Sequence, residues 1–363
     1  MIVYVSAYFL SICIAYCTKY VKDYRKKGLL FLASSLPFII VSSIRYDVGT
    51  DYMVRYFPDY IKIANGETIK NLEPLFYLLV KICTLITSQP YILFALTSII
   101  IYLLFYKSFE DNSKIWILSI TIFFIAGFFF ESMNLVRQFV AMALIIFAHK
   151  FLFEKGKKKY LWYIFIIIAT LIHTISLVYL VLVLLKKRKI NFVFVVLITL
   201  ITVLLGDAIV RYGYDFFRSI DISNIQKYAT YFRRAGDFSW SMFLTETILY
   251  AFLYFFNKKD ETDVKKNLYT NVQALAVIFI ILSSKIGLFS RMAGLFTMFQ
   301  MISIPYFLSE KKNFNIKIKQ KEINIRNICL ITIIALYILR LIYAVLLNGA
   351  YEVLPYRTIF EIL

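Results

Sequence analysis

The chain has 363 residues, of which 61% are hydrophobic and 17% charged, and its formal net charge is +19. Its mean hydropathy of +0.73 and its long apolar blocks exclude a soluble domain, which would need a larger polar surface. We therefore predict an all-α polytopic membrane protein with about 10 to 13 membrane helices.

The positive charge is concentrated in five short segments that separate apolar runs. These segments hold 24 of the 41 lysines and arginines and 7 of the 22 acids: 19–27, 150–159, 186–189, 257–270 and 309–327. Such a distribution is typical of cytoplasmic loops under the positive-inside rule. Because topology explains the charge, we expect no nucleic-acid partner, which would need a basic groove with interleaved aromatic residues.

The cysteines and the familiar soluble motifs indicate neither a metal nor a cofactor. Cys13, Cys17, Cys83 and Cys329 lie in apolar runs without ligand-like clustering, where thiols usually act as small hydrophobic side chains. The sequence has no phosphate-binding glycine loop and no metalloprotease motif. We expect no disulfide, no metal site and no cofactor.

The first apolar run, 2–18, has neither a basic region before it nor a small-residue cleavage site after it, which predicts a retained membrane helix. Since the basic segment 19–27 is assigned to the cytoplasm, helix 28–44 runs outward. The stretch SIRYDVGTDYMVRYFPDY, residues 43–60, then emerges outside and begins an external loop, 45–71.

Helix parity identifies one apolar run that does not cross the membrane. Three runs, 72–88, 91–107 and 115–130, lie between this loop and the turn ESMNLVRQ, which is external because it precedes the cytoplasmic segment 150–159. An odd number of crossings cannot join two external points. We expect 72–88 to be an external juxtamembrane helix, because it carries Glu73 and is short for a span of about 20 residues.

A second exception is the run 160–185, which has basic segments on both sides. One crossing would leave a lysine cluster outside, and two full helices would need about 40 residues. We expect a re-entrant pair of half-helices meeting near ATLIHTIS, with His173 beside a cavity, because irregular backbone at membrane depth persists only in protein or beside water. The alternative is a single long tilted helix that breaks the positive-inside rule.

The remaining apolar runs alternate across the membrane within a single integral membrane domain, 1–363. Further helices are expected at 192–205, 241–256, 271–288, 291–308 and 328–347. The external loops are 45–71, 131–137, 206–240 and 348–363. The cytoplasmic loops are 19–27, 150–159, 186–191, 257–270 and 309–327.

This topology gathers unusual polar residues on the external face. In MNLVRQFVA, Asn134, Arg137, Gln138 and Ala141 are spaced by three and four residues and so share one helical stripe. Charges at the edge of the bilayer usually mark a substrate path, and planar arginines suit a phosphate or diphosphate. The other polar candidates on this face are Arg45, Asp47, Asp51, Tyr52, Glu131, Tyr228, Tyr231 and Arg291.

Ordinary structural roles are open to the same residues. Arg45 and Arg137 also fit snorkelling side chains at the interface. Asp51 also fits a helix cap, and His173 a hydrogen-bonded interior histidine. The i, i+4 stripe of tyrosines is typical of an aromatic belt, with a sugar platform as the alternative; its members are Tyr52, Tyr56 and Tyr60.

Several short motifs recur in a fixed order: RYDVGTDY, an EP about twenty residues later, NLVRQ with Ala141, ATLIH with Ser176, KYATYF and FSRM. In this order they resemble the EpsG branch of the Wzy-like polysaccharide polymerases. The resemblance covers residues 40 to about 300. It departs from the family after His173, where Thr174 and Ile175 stand in place of the usual basic or polar residue.

The resemblance implies a bacterial cytoplasmic-membrane enzyme, similar to the GT-C glycosyltransferases, that joins lipid-linked oligosaccharide repeat units on the outer face. In that broader fold an acid in the first external loop contributes to catalysis, a place that Asp47 and Asp51 occupy here. The donor would be a glycan on undecaprenyl diphosphate, attacked at its anomeric carbon by a sugar hydroxyl. The leaving diphosphate already carries its charge, so arginines can stabilise it without a general acid.

The resemblance also assigns roles and partners. Asp51, His173 and Arg137 are the predicted catalytic residues, with Asp51 or His173 as the base. The predicted substrate-binding residues are Arg45, Asp47, Tyr52, Glu73, Asn134, Gln138, Tyr228, Tyr231 and Arg291. The expected partners are undecaprenyl-diphosphate-linked oligosaccharides and membrane lipid, with a chain-length regulator and a flippase as further candidates. A lipid-linked oligosaccharide flippase and an O-antigen-ligase-like transferase are the alternative functions.

Overall fold

The structure is a computed structural model, which describes residues 1–69, 72–219, 238–257, 263–309, 315–318 and 321–361. The helices are α1 (Ile2–Cys17), α2 (Tyr24–Ala33), α3 (Leu36–Ser43), α4 (Phe57–Ala64), α5 (Pro74–Ile86), α6 (Tyr91–Asn112), α7 (Trp116–Ile125), α8 (Phe128–Asn134), α9 (Val136–Ala148), α10 (Tyr160–Ile172), α11 (Leu182–Leu185), α12 (Phe192–Ser219), α13 (Trp240–Phe256), α14 (Val264–Ser283), α15 (Leu288–Thr297), α16 (Gln300–Leu308) and α17 (Ile325–Leu341). Two short antiparallel strands form a hairpin, β1 (Asn315–Ile318) and β2 (Lys321–Asn324).

In the described part of the chain, seven helices are long and apolar enough to cross a membrane, or eight if the bent pair of α7 and α8 forms one span. The seven are Ile2–Tyr20, Tyr24–Ser43, Tyr91–Asn112, Val136–Phe153, Phe192–Phe216, Val264–Ser283 and Arg326–Leu347. The prediction of an all-α polytopic membrane protein is confirmed. The sequence predicted about 10 to 13 membrane helices, and that number also included shorter apolar helices such as α5.

The described chain forms two compact units. The first contains Met1–Leu180, Leu308–Phe314 and Leu330–Leu363, and the second contains Val181–Phe307 and Asn315–Cys329. The expectation that the chain is a single integral membrane domain stays a prediction, as does its likeness to the GT-C fold.

The core of the first unit is built from aromatic side chains and small hydroxyl groups on α3, α6, α7 and α8. The ring of Phe38 lies 4.6 Å from that of Phe129 and 5.7 Å from that of Phe123, and all three are buried. Ser98 of α6 donates a hydrogen bond to Ser42 of α3 at 2.8 Å. Close packing and hydrogen bonds between helices of this kind stabilise membrane bundles, where lipid is as apolar as the side chains.

The helices of the first unit have two chemically different ends. At one end Lys150, which follows α9, pairs with Asp111 of α6 at 2.5 Å, and Gly28 of α2 packs against the carboxylate of Glu110. This end therefore carries the first two basic segments of the sequence. The opposite ends of α3 and α9 carry the predicted site residues, as helix parity requires, and the membrane side of each end stays a prediction.

Both ends of α5 lie at the site end of the first unit. Glu73, directly before α5, pairs with Arg137 in the first turn of α9. Directly after α5, the carbonyl oxygen of Thr87 accepts a hydrogen bond from the Tyr60 hydroxyl at 2.7 Å. The helix thus starts and finishes at one end of the bundle, as the non-crossing interpretation of 72–88 requires.

Two apolar runs are interrupted by a residue with non-helical backbone. Gly127, with φ +90°, separates α7 from α8, and these helices bend by 57° where the sequence predicted one run over 115–130. His173 has extended backbone, with φ −153° and ψ 112°, between α10 and the 3-10 helix Thr174–Val181. The break expected near ATLIHTIS is therefore at His173, and the re-entrant path stays a prediction.

In the second unit, helix α12 is longer than the sequence suggested. An external loop was expected over 206–240, but α12 continues to Ser219. Asp207, whose charge suggested the start of the loop, remains helical and pairs with Lys285 at 2.6 Å. The predicted start of the loop is therefore wrong, because the helix continues past Asp207, whose side chain is exposed and needs no break in the helix.

The expected cytoplasmic loop 257–270 is shorter than predicted. Helix α14 begins at Val264, because the Asp263 carboxylate accepts hydrogen bonds from the N–H groups of the first helical turn. The expected loop 309–327 contains the β1–β2 hairpin and the start of α17.

A buried polar cluster joins three helices of the second unit. The amide of Gln273 on α14 donates to the Glu246 carboxylate of α13 at 2.8 Å, and the amide of Gln300 on α16 donates to the same carboxylate. All three side chains are buried. Because a buried carboxylate is costly without hydrogen bonds, these amides help to fix how the three helices pack.

Asn271 fixes the turn that precedes α12. Its Nδ2 donates to the carbonyl oxygens of Leu185 and Arg188 at 2.6 Å each, and its Oδ1 accepts from the N–H of Ile190 at 2.7 Å. One fully buried side chain thus satisfies three main-chain groups of a connecting segment.

Replacing this side chain should therefore destabilise the second unit. We expect Asn271→Ala to lower the free energy of unfolding by about 1 to 3 kcal/mol, because it leaves buried main-chain groups without partners. Unfolding in mixed detergent micelles measures the change. Asn65→Ala, at an exposed position, is the control, and an equal loss in both variants would contradict this role for Asn271.

Candidate active site

Three residues that are far apart in the sequence form an ionic cluster in the first unit. Glu73 Oε2 lies 2.7 Å from Arg137 Nη1, and Glu73 Oε1 lies 3.0 Å from His173 Nδ1. Thr174 contributes longer contacts to the same Oε1, from its N–H at 3.4 Å and its hydroxyl at 3.5 Å. One carboxylate therefore links a fixed cation to an imidazole.

Local backbone structure brings each member to this point. Glu73 has extended backbone and precedes Pro74, the first residue of α5, whose ring cannot donate a hydrogen bond. Arg137 lies in the first turn of α9, where its N–H donates to the Tyr56 hydroxyl at 3.2 Å. His173 is the residue at which the helical backbone of its run is interrupted.

The cluster is shielded from solvent and strongly charged. The Arg137 side chain is 5% exposed, and its guanidinium lies 5.7 Å from the centre of the Phe76 ring. Burial alone would raise the pKa of Glu73, but the hydrogen bond and charge of His173 outweigh it and hold the pKa of Glu73 below the usual 4.5. The carboxylate therefore stays ionised near neutral pH and can orient both partners.

Asp51 is joined to this cluster through the main chain. Its N–H donates to Oδ1 of Asn134 at 2.9 Å, and Asn134 lies three residues before Arg137. The interpretation of Asp51 as a helix cap is wrong, because its side chain makes no capping hydrogen bond to the π-helical turn Tyr52–Tyr56. The structure thus links the loop that carries the predicted catalytic acid to Asn134, three residues before the predicted catalytic arginine.

Arg45 is a buried residue at the start of the loop that carries Asp51. It is 1% exposed, its Nη1 donates to the Ser42 carbonyl and hydroxyl, and its Nη2 donates to the Met133 carbonyl at 3.2 Å. Its guanidinium also lies 4.6 Å from the centre of the Phe94 ring. Arg45 is therefore not a snorkelling residue, and it positions the loop that carries Asp51.

The C-terminal segment, 350–361, covers the same loop. Main-chain hydrogen bonds pair it with residues 44–50; they join Ile359 N to Ile44 O, Tyr46 N to Arg357 O, Gly49 N to Glu352 O and Thr50 N to Tyr351 O. Asp47 is directed to this segment, since its carboxylate lies 3.2 Å from Arg357 Nη1. The first loop is thus held on both sides, by Arg45 and by residues 350–361.

The tyrosine stripe is a core feature and not an aromatic belt. Tyr52, Tyr56 and Tyr60 are 1%, 4% and 0% exposed. The ring of Tyr52 stacks on Phe94, with centroids 4.1 Å apart. The interpretation as interface anchors is therefore wrong, because the loop folds back and packs these rings against α5 and α6.

The stripe predicted in MNLVRQFVA is also divided. Leu135, with ψ 53°, separates α8 from α9, so Asn134 ends one helix while Arg137, Gln138 and Ala141 belong to the next. Gln138 is buried, at 4% exposure. Asn134 and Arg137 nevertheless reach one site, because the short break keeps both at the same end of the unit.

The remaining predicted residues lie in the second unit or outside the described residues. Arg291 is exposed in the first turn of α15, in the second unit. Tyr228 and Tyr231 lie outside the described residues. Among the residues that the structure describes, no group of three or more His, Cys, Asp or Glu side chains could hold a metal ion.

Sequence reasoning missed several supporting residues. Thr174, Phe76 and Arg357 each touch a predicted site residue. Thr174 and Phe76 could have been found from the sequence, because they closely follow the motifs ATLIH and EP. Nothing in the sequence near Arg357 indicated its contact with Asp47, since the two are separated by 310 positions.

The motifs of this site can be compared with known families. The model of the EpsG family matches residues 28–358, most of the chain. The chain belongs to the EpsG family. No curated protein and no solved structure matches it. As an EpsG-family protein with several apolar helices, it is a polysaccharide-polymerase-like membrane protein, related to glycosyltransferase-like polymerases.

The ion pairs of Glu73 predict a loss of stability in acid. Because the pKa of Glu73 is lowered in the folded state, its ionised form stabilises the protein fully above pH 4.5, and this contribution is lost as the pH falls through the folded-state pKa. We expect Glu73→Gln to unfold at a lower temperature than wild type at neutral pH, with the two converging in acid.

Thermal unfolding from about pH 6 to pH 3 measures this difference. Glu67→Gln removes an exposed carboxyl of the same predicted loop and should keep the wild-type pH dependence. A gap between Glu73→Gln and wild type that stays constant down to the lowest pH would refute the proposed ion pairing.

Gly49 occupies a position in the first loop that has no room for a larger side chain. It has φ +103°, and a Cβ atom there would lie 2.9 Å from the Met133 carbonyl oxygen, which also accepts from Arg45. We expect Gly49→Ala to cost about 1 to 3 kcal/mol of stability. Gly66→Ala is the matched control, because its φ is +83° but its Cβ would meet nothing within 4 Å. Protease sensitivity of the 45–71 loop and thermal unfolding should separate the two; equal effects would exclude the steric explanation.

Proposed function

We propose that this EpsG-family protein is a polysaccharide polymerase. It would join undecaprenyl-diphosphate-linked oligosaccharide repeat units by glycosyl transfer on the external face of the bacterial cytoplasmic membrane. The observation that carries the proposal is the Glu73 carboxylate, which holds Arg137 and His173 together. The loop that carries Asp51 is tied to Asn134, three residues before Arg137. Family membership supports the polymer product, and the chemistry of the cluster supports the lipid-diphosphate donor.

The cluster provides the two functions that glycosyl transfer from a diphosphate requires. A base accepts the proton of the attacking sugar hydroxyl, whose oxygen bonds to the anomeric carbon of the donor. The bond from that carbon to the diphosphate oxygen breaks, and the diphosphate leaves with the electron pair. Arg137 is suited to stabilise this leaving group, because its planar cation is held in a shielded site.

Between the two candidate bases, the geometry favours His173. The Glu73 carboxylate sits at its Nδ1, which orients the ring, favours a proton on Nδ1 and leaves Nε2 able to accept the substrate proton. Asp51 then orients the attacking hydroxyl or serves as the alternative base. Arg45, Asp47, Asn134 and Gln138 keep positioning roles, while Tyr228, Tyr231 and Arg291 remain proposed substrate contacts.

Substitutions at the cluster should abolish polymer without removing the protein from the membrane. We expect Asp51→Asn, His173→Gln and Arg137→Lys each to lower the polymerisation rate by about 100-fold or more. Arg137→Lys keeps the positive charge, so it avoids the buried unpaired Glu73 that Arg137→Ala would create. Asp59→Asn and Arg55→Ala, from the same predicted loop, are the controls.

The decisive assay uses purified protein in liposomes with lipid-linked repeat units, and scores a ladder of polymer lengths on gels. A ladder from wild type and the controls, and none from the cluster variants, is the expected result. Translocation of the lipid without a ladder would favour a flippase, and a single-step transfer to another acceptor would favour a ligase. Full-length polymer from Asp51→Asn and His173→Gln alike would overturn the site assignment.

A further inference from the structure

A cavity of about 570 Å³ lies beside the first loop of the first unit. Its volume falls within the roughly 300 to 1,000 Å³ that is usual for small-molecule sites. Four aromatic rings line it together with a side-chain amide and residues of the C-terminal segment and of the turn before α6. The lining residues are Tyr46, Tyr52, Phe57, Gln89, Pro90, Tyr91 and Ile359.

Tyr52 contributes a hydroxyl group to the wall of this cavity. The residue is 1% exposed, and its ring is fixed by stacking on Phe94. Within the described residues, the structure shows no hydrogen bond to this hydroxyl. The hydroxyl is not sealed off from the cavity, so it is available to a ligand that can hydrogen-bond there.

The position of the cavity indicates which ligand chemistry it suits. Tyr46 follows the span Tyr24–Ser43 by three residues, and Tyr91 is the first residue of the next span, α6. The cavity therefore lies at the ends of membrane helices, where aromatic residues with a polar tip face both apolar and wet surroundings. A polyprenyl chain would instead be held along the apolar middle of the spans.

The lining matches the two faces of a pyranose ring. The C–H groups of a sugar pack on aromatic rings, which Tyr46, Phe57 and Tyr91 provide. Its hydroxyl groups need hydrogen-bonding partners, which the Tyr52 hydroxyl and the Gln89 amide provide.

The cavity and the candidate active site use neighbouring residues of the same loop. Tyr52 directly follows Asp51, and the Asp51 N–H binds Asn134 near Arg137. Ile359, which closes the cavity, belongs to the segment that pairs with residues 44–50. A sugar bound in the cavity would therefore be held next to the loop that carries the proposed catalytic acid.

We propose that this cavity is a saccharide subsite that binds a pyranose of the glycan on a lipid-linked repeat unit. The assignment of that glycan rests on the proposed function, while the cavity's affinity for a free oligosaccharide can be measured separately. Tyr52 and Gln89 are its hydrogen-bonding residues, and the tyrosine and phenylalanine rings around them are its packing surface.

Cysteine protection tests the subsite without relying on activity. In a background with the four native cysteines replaced by alanine, Gln89→Cys in liposomes is labelled with a maleimide. The probe is the free oligosaccharide released by mild acid from the producing cell's own lipid-linked units. At about ten times its dissociation constant, this probe should slow labelling about tenfold. Asn65→Cys, exposed and outside the cavity, should label at an unchanged rate.

Two outcomes would overturn the subsite. One is unchanged labelling of Gln89→Cys at the solubility limit of the oligosaccharide. The other is protection by undecaprenyl phosphate alone, which would identify a lipid site. Tyr52→Phe, which keeps the stacked ring and removes only the hydroxyl, should weaken oligosaccharide protection about fivefold and raise the KM for repeat units with little change in kcat.

The same samples separate the two proposals. Protection by oligosaccharide in a wild-type-like protein that makes no polymer would support the subsite and overturn the proposed polymerase function. A polymer ladder without protection, and with an unaltered KM in Tyr52→Phe, would support the polymerase function and overturn the subsite.

Discussion

The interaction on which the site depends is the double contact of one carboxylate, Glu73, with Arg137 and His173. It draws together α5, α9 and the break after α10, three elements that share no sequence neighbourhood. A buried arginine needs an ionic or hydrogen-bonding partner, and Arg137 has Glu73, so the position of Glu73 also constrains how α5 packs. The contact of Thr87 with Tyr60 places the end of α5 near the same loop, and its non-crossing course stays a prediction.

Much of this arrangement was accessible from the sequence. Long apolar runs and basic segments predicted the membrane class, helix parity predicted the non-crossing run, and the flanking lysines predicted a break near His173. The polar residues expected on one face include the pair Arg137–Glu73 and the neighbour Asp51. The membrane class and the break at His173 were found because they depend on hydrophobicity and charge, which a single sequence records. The non-crossing course of 72–88, the membrane face and the roles of the site residues stay predictions.

The failures have a different origin. The tyrosines at 52, 56 and 60 were assigned to the membrane interface from their spacing, but the loop folds back and buries them. Arg45 also fitted a snorkelling residue, yet it is buried and donates hydrogen bonds to Ser42 and Met133. Contacts between distant segments decide these cases, as they do for Arg357 and Asp47. Hydrophobic patterning does not encode such pairings.

The pairing of residues 350–361 with 44–50 bears on how the protein matures. Synthesis proceeds from the N-terminal side, so the first loop is made long before residues 350–361 leave the ribosome. The Asp51 loop therefore lacks its main-chain hydrogen bonds to residues 350–361 until that segment has been synthesised. A chain interrupted between the two segments would thus leave this loop without these partners, which makes the order of the candidate site depend on insertion of the helices that lie between them.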